Sequence, residues 1–402
     1  MQKILTYACF WALILCWSAC SSNKDVKPSD SFTKIYDNGE FGGSFFPVDV
    51  KQTTDGGYLI LAEARLTSSN FYGVYLLRTN ERGDVIWSRQ APANFVNPVP
   101  GLFAVNDQFF FFCMDATSLA TYAMQVVEGG DPVIVQTFGT LIYPLHASRL
   151  PDGGYILLSY DRVLQSTRMT RFNANFGIVW QNQYAVLENP EALLVAHLTR
   201  TGQRLPFLTG FIGDGSPNTF FFNGFQNFTF ALKFVNVANG DGAGLGVING
   251  FRYSGAISAA VPIANNRFAF TRFSFGSNFI LPQQTISTLA IASASDFGGQ
   301  PLSELNNNAK VAALRITSGS RDVVIFASDT KANQIVLYAY NAQTGALIRT
   351  KYLGSGNPYE IANLATTQDG GLVIIGTNYL AGRFPRIALF KLSSAEFNNF
   401  VK

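Results

Sequence analysis

Two short segments of the chain share a pattern that could bind or transform an anion. Residues 146–149 (HASR) and 197–200 (HLTR) both have the form His-x-[Ser/Thr]-Arg. An arginine fork matches the oxygens of a carboxylate, a phosphate or a sulfated sugar. A histidine beside it could act as a general base. The candidate ligand-binding residues are therefore His146, Arg149, His197 and Arg200.

A repeated turn outlines the elements that would position these residues. The tripeptide Asp-Gly-Gly precedes an apolar, β-forming run at residues 55–57, 152–154 and 369–371. Degenerate copies lie near residues 107, 202, 266 and 320, spaced by about fifty residues except for a longer step from 202 to 266. In such hairpins Asp bonds its own turn backbone and Gly supplies a positive φ. The turns therefore indicate seven repeated units rather than phosphate or calcium loops, and no metal site is predicted.

Each repeat has the pattern of a four-stranded antiparallel meander. In the first one, short strands are predicted at residues 48–51, 58–62, 74–78 and 85–89. This length and pattern are typical of a propeller blade. The last repeat lacks a clear fourth strand, which residues 32–39 could supply from the other end of the chain. The sequence thus predicts an all-β, seven-bladed β-propeller over residues 32–402, closed by pairing of an N-terminal strand with the C-terminal blade.

Two of the turns resemble those of a known group of proteins. Residues 53–58 read T-x-D-G-G-Y and residues 80–87 read N-x-x-G-x-x-x-W; residues 173–180 fit the second pattern with one extra residue before the glycine. These motifs are similar to those of lipid-anchored β-propellers of Bacteroidota. The resemblance implies the propeller fold and a lipid anchor. It implies no particular activity, because propellers host many functions.

On this fold, the two His-x-[Ser/Thr]-Arg segments would lie on the innermost strands of consecutive blades. Both imidazoles and both guanidiniums would then face the central channel, with Asp49 and Asn363 at corresponding places. Two alternatives stay open. The groups could merely hydrogen-bond channel water, or residues 189–191 could begin a helix that runs through Arg200 and removes the equivalence.

The N-terminus is predicted to be a targeting segment. Lys3 precedes an apolar run over residues 4–17, which is shorter than the roughly 18 residues of a membrane-spanning helix. Small residues then precede Cys20, which resembles a bacterial lipoprotein signal. The resemblance implies that residues 1–19 are removed and that the Cys20 thiol is lipidated, placing the protein in the cell envelope at the outer membrane. An ordinary secretory signal is the alternative. Residues 20–31 are polar and predict a flexible tether.

Composition excludes several classes of protein. Charged residues make up 14% of the chain, the net charge is +3 and no basic run occurs, so a nucleic-acid partner is not expected. With Cys20 lipidated, Cys113 has no partner within the mature chain, and a disulfide scaffold is excluded. Phe-rich strands predict apolar packing between sheets, as do Trp87 and Trp180. Two insertions, near residues 235–255 and 282–310, could cover one face of the predicted propeller.

The favoured function is a lipid-anchored, monomeric binding or scaffold protein with a glycan or protein ligand and no cofactor. The first alternative is a hydrolase or lyase that uses the channel His and Arg residues. A quinoprotein-type oxidoreductase is a weaker alternative, suggested by the recurring tryptophan, because the adjacent cysteine pair of those enzymes is missing.

The lipid anchor predicts the effect of a single substitution. Cys20→Ala should release the protein from the membrane pellet into the soluble fraction, because the thiol that carries the lipid is lost. Fractionation and immunoblotting measure this, with Cys113→Ala as the control that keeps the anchor. Retention of the Cys20→Ala protein in washed membranes would contradict lipidation.

Overall fold

The structure is a computed structural model that describes residues 30–37, 43–213, 219–242, 246–249, 254–264, 266–318 and 321–402. The predicted signal peptide, Cys20 and the tether up to residue 29 lie outside the described residues. Within the described ranges, no helix is both long and apolar enough to cross a membrane.

The described chain is nearly all β-structure, as the sequence predicts. Its strands are β1 (Phe32–Tyr36), β2 (Phe45–Gln52), β3 (Tyr58–Arg65), β4 (Tyr72–Thr79), β5 (Val85–Gln90), β6 (Phe95–Val96), β7 (Phe103–Val105), β8 (Gln108–Asp115), β9 (Ala120–Gln125), β10 (Val133–Ile142), β11 (Pro144–Arg149), β12 (Tyr155–Asp161), β13 (Ser166–Phe172), β14 (Ile178–Ala185), β15 (Leu208–Ile212), β16 (Thr219–Gln226), β17 (Thr229–Asn236), β18 (Gly246–Ile248), β19 (Gly255–Ala264), β20 (Arg267–Ser274), β21 (Ser277–Thr285), β22 (Ile291–Ser293), β23 (Gln300–Pro301), β24 (Val311–Ser318), β25 (Arg321–Asp329), β26 (Ile335–Asn341), β27 (Leu347–Leu353), β28 (Tyr359–Thr366), β29 (Leu372–Leu380) and β30 (Phe384–Leu392). Helices are α1 (Glu191–Leu198), α2 (Ser394–Phe400) and a 3-10 turn at Ala294–Phe297.

These strands form four-stranded antiparallel units along the chain. Unit 1 (β2–β5) and unit 2 (β7–β10) are joined through β6 into one nine-stranded sheet. Separate sheets form unit 3 (β11–β14), unit 4 (β15–β18), unit 5 (β19, β20, β21 and β23) and unit 6 (β24–β27). Unit 7 comprises β28, β29 and β30, and its fourth strand is β1 from the start of the domain. Phe32 pairs with Lys391 and Tyr36 with Ile387, so the predicted pairing between the two ends of the domain is present.

The Asp-Gly-Gly turns are clamped by a cation from the third strand of their own unit. In unit 1, Asp55 accepts hydrogen bonds from the Gly57 amide at 3.2 Å and from Nη2 of Arg78 at 2.6 Å. The same carboxylate–cation contact recurs in units 3 and 7, between Asp152 and Arg171 at 2.7 Å and between Asp369 and Lys391 at 2.6 Å. The Asp residues therefore have a structural role in the turn, as the sequence predicts.

Both glycines of the turn are required, for different reasons. The first has a positive φ, 85° at Gly56 and at Gly153, which an L side chain rarely adopts. The second passes close to the backbone of the third strand: a Cβ added to Gly57 would lie 2.2 Å from the carbonyl oxygen of Thr79. The equivalent distance is 2.4 Å at Gly154 and 2.3 Å at Gly371. The turn geometry thus holds the second strand directly against the third.

Apolar side chains alternate along each strand between two separate clusters. In β3, Tyr58 and Ile60 belong to the cluster shared with unit 7, whereas Leu59 and Leu61 belong to the cluster shared with unit 2. Phe220 and Phe221 of β16 divide in the same way, facing units 3 and 5 respectively. This confirms that the Phe-rich strands pack between sheets, and it explains why they lack a polar face.

The two tryptophans bridge neighbouring units from the outer strands. The Trp87 indole donates a 2.6 Å hydrogen bond to Glu128, and the Trp180 indole donates a 2.8 Å bond to the carbonyl oxygen of Val237. Both rings are half-buried against the cluster shared with the next unit. Their equivalent places show that the recurring tryptophan packs between neighbouring units. Cys113 is a buried free thiol in the cluster between units 1 and 2.

One predicted turn is wrong. Residues 201–203, assigned from their sequence to the first hairpin of the fourth repeat, follow helix α1 instead, and the first hairpin of unit 4 joins β15 to β16. The helix is extra chain placed between β14 and β15. Because of this extra helix, the first hairpin of unit 4 lies further along the chain than residue 202. The spacing from residue 202 to the next turn at residue 266 was therefore longer than the others.

The two insertions are partly incorporated into sheets. Residues 246–248 form β18 on unit 4, and residues 291–293 form β22, which pairs with β18 in parallel. Residues 243–245 and 250–253 of the first insertion lie outside the described residues. The described parts thus contribute outer strands, while the end of the second insertion reaches a central cavity described below.

The glycine geometry predicts a sharp difference between two substitutions. Gly57→Ala should lower the free energy of unfolding by about 2–3 kcal/mol or more, because the new Cβ would overlap the Thr79 carbonyl oxygen. Gly139→Ala on the outer strand β10 has nothing within 4 Å of its Cβ and should change stability by no more than about 0.5 kcal/mol. Urea-induced unfolding followed by tryptophan fluorescence measures both. Equal effects at the two positions would show that the close approach is not a constraint.

Candidate functional site

A cavity of about 310 Å³ lies where the units converge. Strands β2, β11, β15, β19, β24 and β28, the first of units 1, 3, 4, 5, 6 and 7, each contribute residues to its wall. Unit 2 contributes residues 97–100, and Val99 within them donates an amide hydrogen bond to the carbonyl oxygen of Phe112 on β8. The cavity wall thus combines residues from each of the four-stranded units described above.

Four of the first strands line the cavity near their beginnings, whereas β19 and β28 contribute residues 258–260 and 362–363 from the middle of the strand. Pro47 of β2, Pro144 of β11, Leu208 of β15 and Val311 of β24 all line it near the first residue of their strand. The Asp-Gly-Gly turns follow the other ends of first strands. The cavity therefore extends from the middle of the first strands towards the face opposite these turns.

His146 lines the cavity from β11 and is half-buried. Its Nδ1 lies 3.0 Å from the hydroxyl of Thr209 on the neighbouring first strand β15, and the Ser148 hydroxyl lies 2.7 Å from that same hydroxyl. Burial lowers the pKa of His146 to about 4, assisted by the charge of Lys310 and opposed by that of Asp49. The imidazole is therefore neutral at neutral pH, and offers one hydrogen bond rather than a positive charge.

His197 also lines the cavity, but it stands on helix α1 and not on an innermost strand. The prediction that the two His-x-[Ser/Thr]-Arg segments are structurally equivalent is therefore wrong, and the helical alternative is the one observed. The physical reason is that Pro190 and Glu191 open a helical turn whose apolar residues Leu194 and Leu198 pack into the cluster between units 3 and 4.

The His197 ring holds the segment after the helix. Its Nδ1 accepts a 2.7 Å hydrogen bond from the amide of Leu205, which places the ring proton on Nε2, and the ring packs edge-on against Phe207 at 5.1 Å. Burial lowers the pKa of His197 well below its usual value, and the charges of Arg204 and Arg200 lower it further. His197 thus positions the chain at the cavity mouth.

Arg200 lines the cavity and is already paired. Its Nε donates to Glu63 on β3 at 2.5 Å, and its guanidinium lies 3.9 Å above the ring of Phe46. The residue has a φ of 55°, a left-handed conformation at the end of the helical segment. The contact ties the connection between units 3 and 4 to unit 1 at the cavity wall.

The fourth candidate, Arg149, does not line the cavity. It ends β11, so it lies towards the face that carries the Asp-Gly-Gly turns, and its Nη1 donates to the carbonyl oxygen of Ala104 at 2.8 Å. Three of the four candidate residues therefore share one cavity, and Arg149 is separate from them.

Sequence reasoning missed two cations at the cavity, Arg204 and Lys310. Arg204 donates to the carbonyl oxygen of His197 at 2.6 Å, and burial together with the charge of Arg200 lowers its pKa to about 10. Lys310 lies directly before β24, at the end of the second insertion, and its side chain is exposed to the cavity. Surrounding protein and the charges of Arg204 and Arg200 lower the pKa of Lys310 to about 8. Only the length of the insertion could have drawn attention to Lys310.

Two polar amides complete the wall. Asn363 donates a 2.8 Å hydrogen bond to the buried carboxylate of Asp49, which also accepts from the amides of Val50 and Leu102 at 2.7 Å. Asn97 is only 2% exposed, and its side-chain nitrogen and oxygen have no hydrogen-bond partner among the described residues. An amide in that state is a ready partner for a polar group of a ligand.

The described residues supply no catalytic pair. Among the described residues, His146 and His197 form hydrogen bonds with Thr209, Leu205 and Arg204, and neither imidazole contacts a carboxylate. Within the same ranges, no group of three or more His, Cys, Asp or Glu residues could hold a metal ion. The described part of the site thus combines neutral imidazoles, cationic side chains and apolar walls.

No protein family and no curated protein matches the sequence. Among solved structures, the chain is similar to the C-terminal WD40 domain of Sif2, at 10% identity and a TM-score of 0.44, covering 90% of this chain and 89% of that one. It is also similar to YCF48 from Cyanidioschyzon merolae, at 11% identity and a TM-score of 0.44, covering 89% and 98%. The β-propeller domain of the trilobed protease from Pyrococcus furiosus is 8% identical, with a TM-score of 0.43 and coverage of 89% and 98%.

These likenesses concern overall architecture at low identity and say nothing about ligand or activity. The narrower resemblance to lipid-anchored propellers of Bacteroidota stays a prediction.

The neutral state of His146 predicts an acid-sensitive contribution to stability. Because its folded pKa of about 4 is below the ordinary 6.5, the unfolded chain binds the extra proton first, and stability is lost as pH falls from 6.5 towards 4. His146→Gln should lose less stability than the wild type across this window. Urea titrations at a series of pH values test this.

Asp329 contributes a pH dependence of stability with the opposite sign. This contribution cancels when the stability of His146→Gln is compared with that of the wild type. Burial raises the pKa of that carboxyl to about 6, so its contribution falls as pH rises through the same window. Parallel curves for the wild type and His146→Gln would show that His146 does not titrate as proposed.

Proposed function

We propose that this protein is a binding module of the cell envelope, anchored by lipid at Cys20, whose ligand enters the central cavity of a closed seven-bladed β-propeller. The observation that carries the proposal is the cavity itself, whose wall is built from all seven four-stranded units. Ligands of globular proteins favour concave sites of this kind, with apolar walls and a few placed polar groups.

Two features of the packing support the closed ring. Counting the two meanders of the nine-stranded sheet separately gives seven units, and each consecutive pair shares an apolar cluster. Unit 7 shares a further cluster with unit 1, in which Val373 and Leu389 pack with Val50 and Ile60. Pairing of β1 with β30 makes unit 7 complete at the same seam.

The N-terminal sequence supports the proposed lipid anchor, which would hold the binding module at the membrane surface. A tether of polar residues from 20 to 31 would let the domain stand away from the membrane and turn freely. The ligand is a glycan, a peptide or another small molecule of the envelope. The domain is proposed to act as a monomer.

Filling the cavity tests the proposed binding. Ala313 on β24 is half-buried and lines the cavity, so Ala313→Leu should abolish binding of any ligand that enters it, with little change in fold. Ala174→Leu, in an exposed turn of unit 3, is the matched control. The mature protein in detergent would be screened on glycan and peptide arrays, and hits measured by calorimetry. Ligands that bind Ala313→Leu as well as the wild type would move the binding site away from the cavity.

A further inference from the structure

We infer that the central cavity takes a small organic anion with two negative charges, held by Arg204 and Lys310. This inference rests on the proposed function, because it specifies the chemical class of ligand for the same cavity.

The charges on the cavity wall are unbalanced. Among the described lining residues, the cations are Arg200, Arg204 and Lys310, and the one carboxylate is Glu63. Glu63 is paired with Arg200 at 2.5 Å, so these two charges largely neutralise each other. Arg204 and Lys310 remain, and neither forms an ion pair with a described carboxylate. The wall therefore offers two excess positive charges to whatever enters.

The two unpaired cations also disfavour each other. The pKa of each is lowered, first by desolvation from the surrounding protein and then by neighbouring positive charge, with Arg200 acting on both and Arg204 acting on Lys310. Glu63 and Glu360 oppose this shift but do not cancel it. Like charges in a confined site raise the free energy of the empty protein. An anion between them replaces this repulsion with two attractive contacts, so an anion is the ligand that the empty cavity favours most.

Size and wall chemistry limit the kind of anion. A volume of about 310 Å³ is at the small end of ligand pockets and excludes a polymer lying wholly inside. Pro47, Val99, Pro144 and Leu208 give the wall an apolar character, while the unpaired amide of Asn97 can bond a polar substituent. A short dicarboxylate or a phosphate monoester with a compact apolar body satisfies all of these features.

Lys310 makes binding sensitive to pH on the alkaline side. The charged groups that act on it are Arg204, Arg200, Glu63 and Glu360, and Lys310 in turn acts on His146, His197 and Asp329. Because its pKa is about 8 in the empty protein, Lys310 loses its proton and its attraction for the anion as pH rises above that value. Binding should therefore take up protons near pH 8 and weaken at higher pH.

The test uses the mature protein in detergent and defined probes. Succinate, glutarate, adipate and phenyl phosphate are titrated by calorimetry, with succinamide as the neutral counterpart of succinate. We expect at least one dianion to bind with one-to-one stoichiometry, and succinamide not to bind. Lys310→Gln should weaken binding about tenfold or more, because a charge-assisted contact is lost. Lys331→Gln removes an exposed lysine outside the cavity and should leave affinity unchanged.

Lys310→Arg distinguishes charge from packing. The guanidinium stays protonated, so this variant should keep its affinity between about pH 7 and about pH 9, where the wild type loses affinity. Lys310 itself donates no described side-chain hydrogen bond, so its variants should unfold at the wild-type temperature, which thermal unfolding checks.

Three results would overturn the inference in distinguishable ways. If no dianion binds at concentrations on the order of 10 mM, the anion class is wrong. If a neutral glycan or peptide binds, is blocked by Ala313→Leu and is insensitive to Lys310→Gln, the cavity function holds and the anion inference fails. If a dianion binds Ala313→Leu and Lys310→Gln as tightly as the wild type, both the inference and the proposed cavity function fail.

Discussion

The contact between the second glycine of each Asp-Gly-Gly turn and the third strand sets the geometry on which the rest of the structure depends. With 2.2 Å between a notional Cβ of Gly57 and the Thr79 carbonyl oxygen, only glycine allows the hairpin to close this tightly. The Asp55–Arg78 clamp holds the turn in that position. The same close approach and carboxylate–cation clamp recur in units 3 and 7, so the hairpin geometry of these three units is the same.

The cavity combines a repeated scaffold with chain that departs from the repeat. First strands supply most of its wall, and their neutral groups, such as His146 and Thr209, bond one another across adjacent units. The charged groups come from elsewhere. Arg200 and Arg204 follow helix α1 between units 3 and 4, and Lys310 ends the second insertion. Regular packing therefore makes the space, and the irregular connections give it positive charge.

Local signals explain why some predictions succeed and others fail. Turn chemistry and strand alternation are encoded within a few residues, so the meanders and the strand borrowed from residues 32–36 could be predicted. Helix α1 was harder, because His-x-[Ser/Thr]-Arg fits both a strand and a helix over four residues. The helix is favoured because Leu194 and Leu198 are buried in the apolar cluster between units 3 and 4. Arg149 was misplaced for a related reason: strand length decides which face a side chain reaches.

The sequence by itself determined the all-β class, the four-stranded repeat and the departures from that repeat, because hairpin turns and alternating apolar residues act over short distances along the chain. Only the tertiary structure decided which charges meet. Glu63 and Arg200 lie more than a hundred positions apart and form an ion pair at the cavity wall, while Arg204 and Lys310 are brought to the same cavity without an ion-pair partner among the described carboxylates. Such encounters depend on how the four-stranded units pack against one another, which no local pattern in the chain specifies.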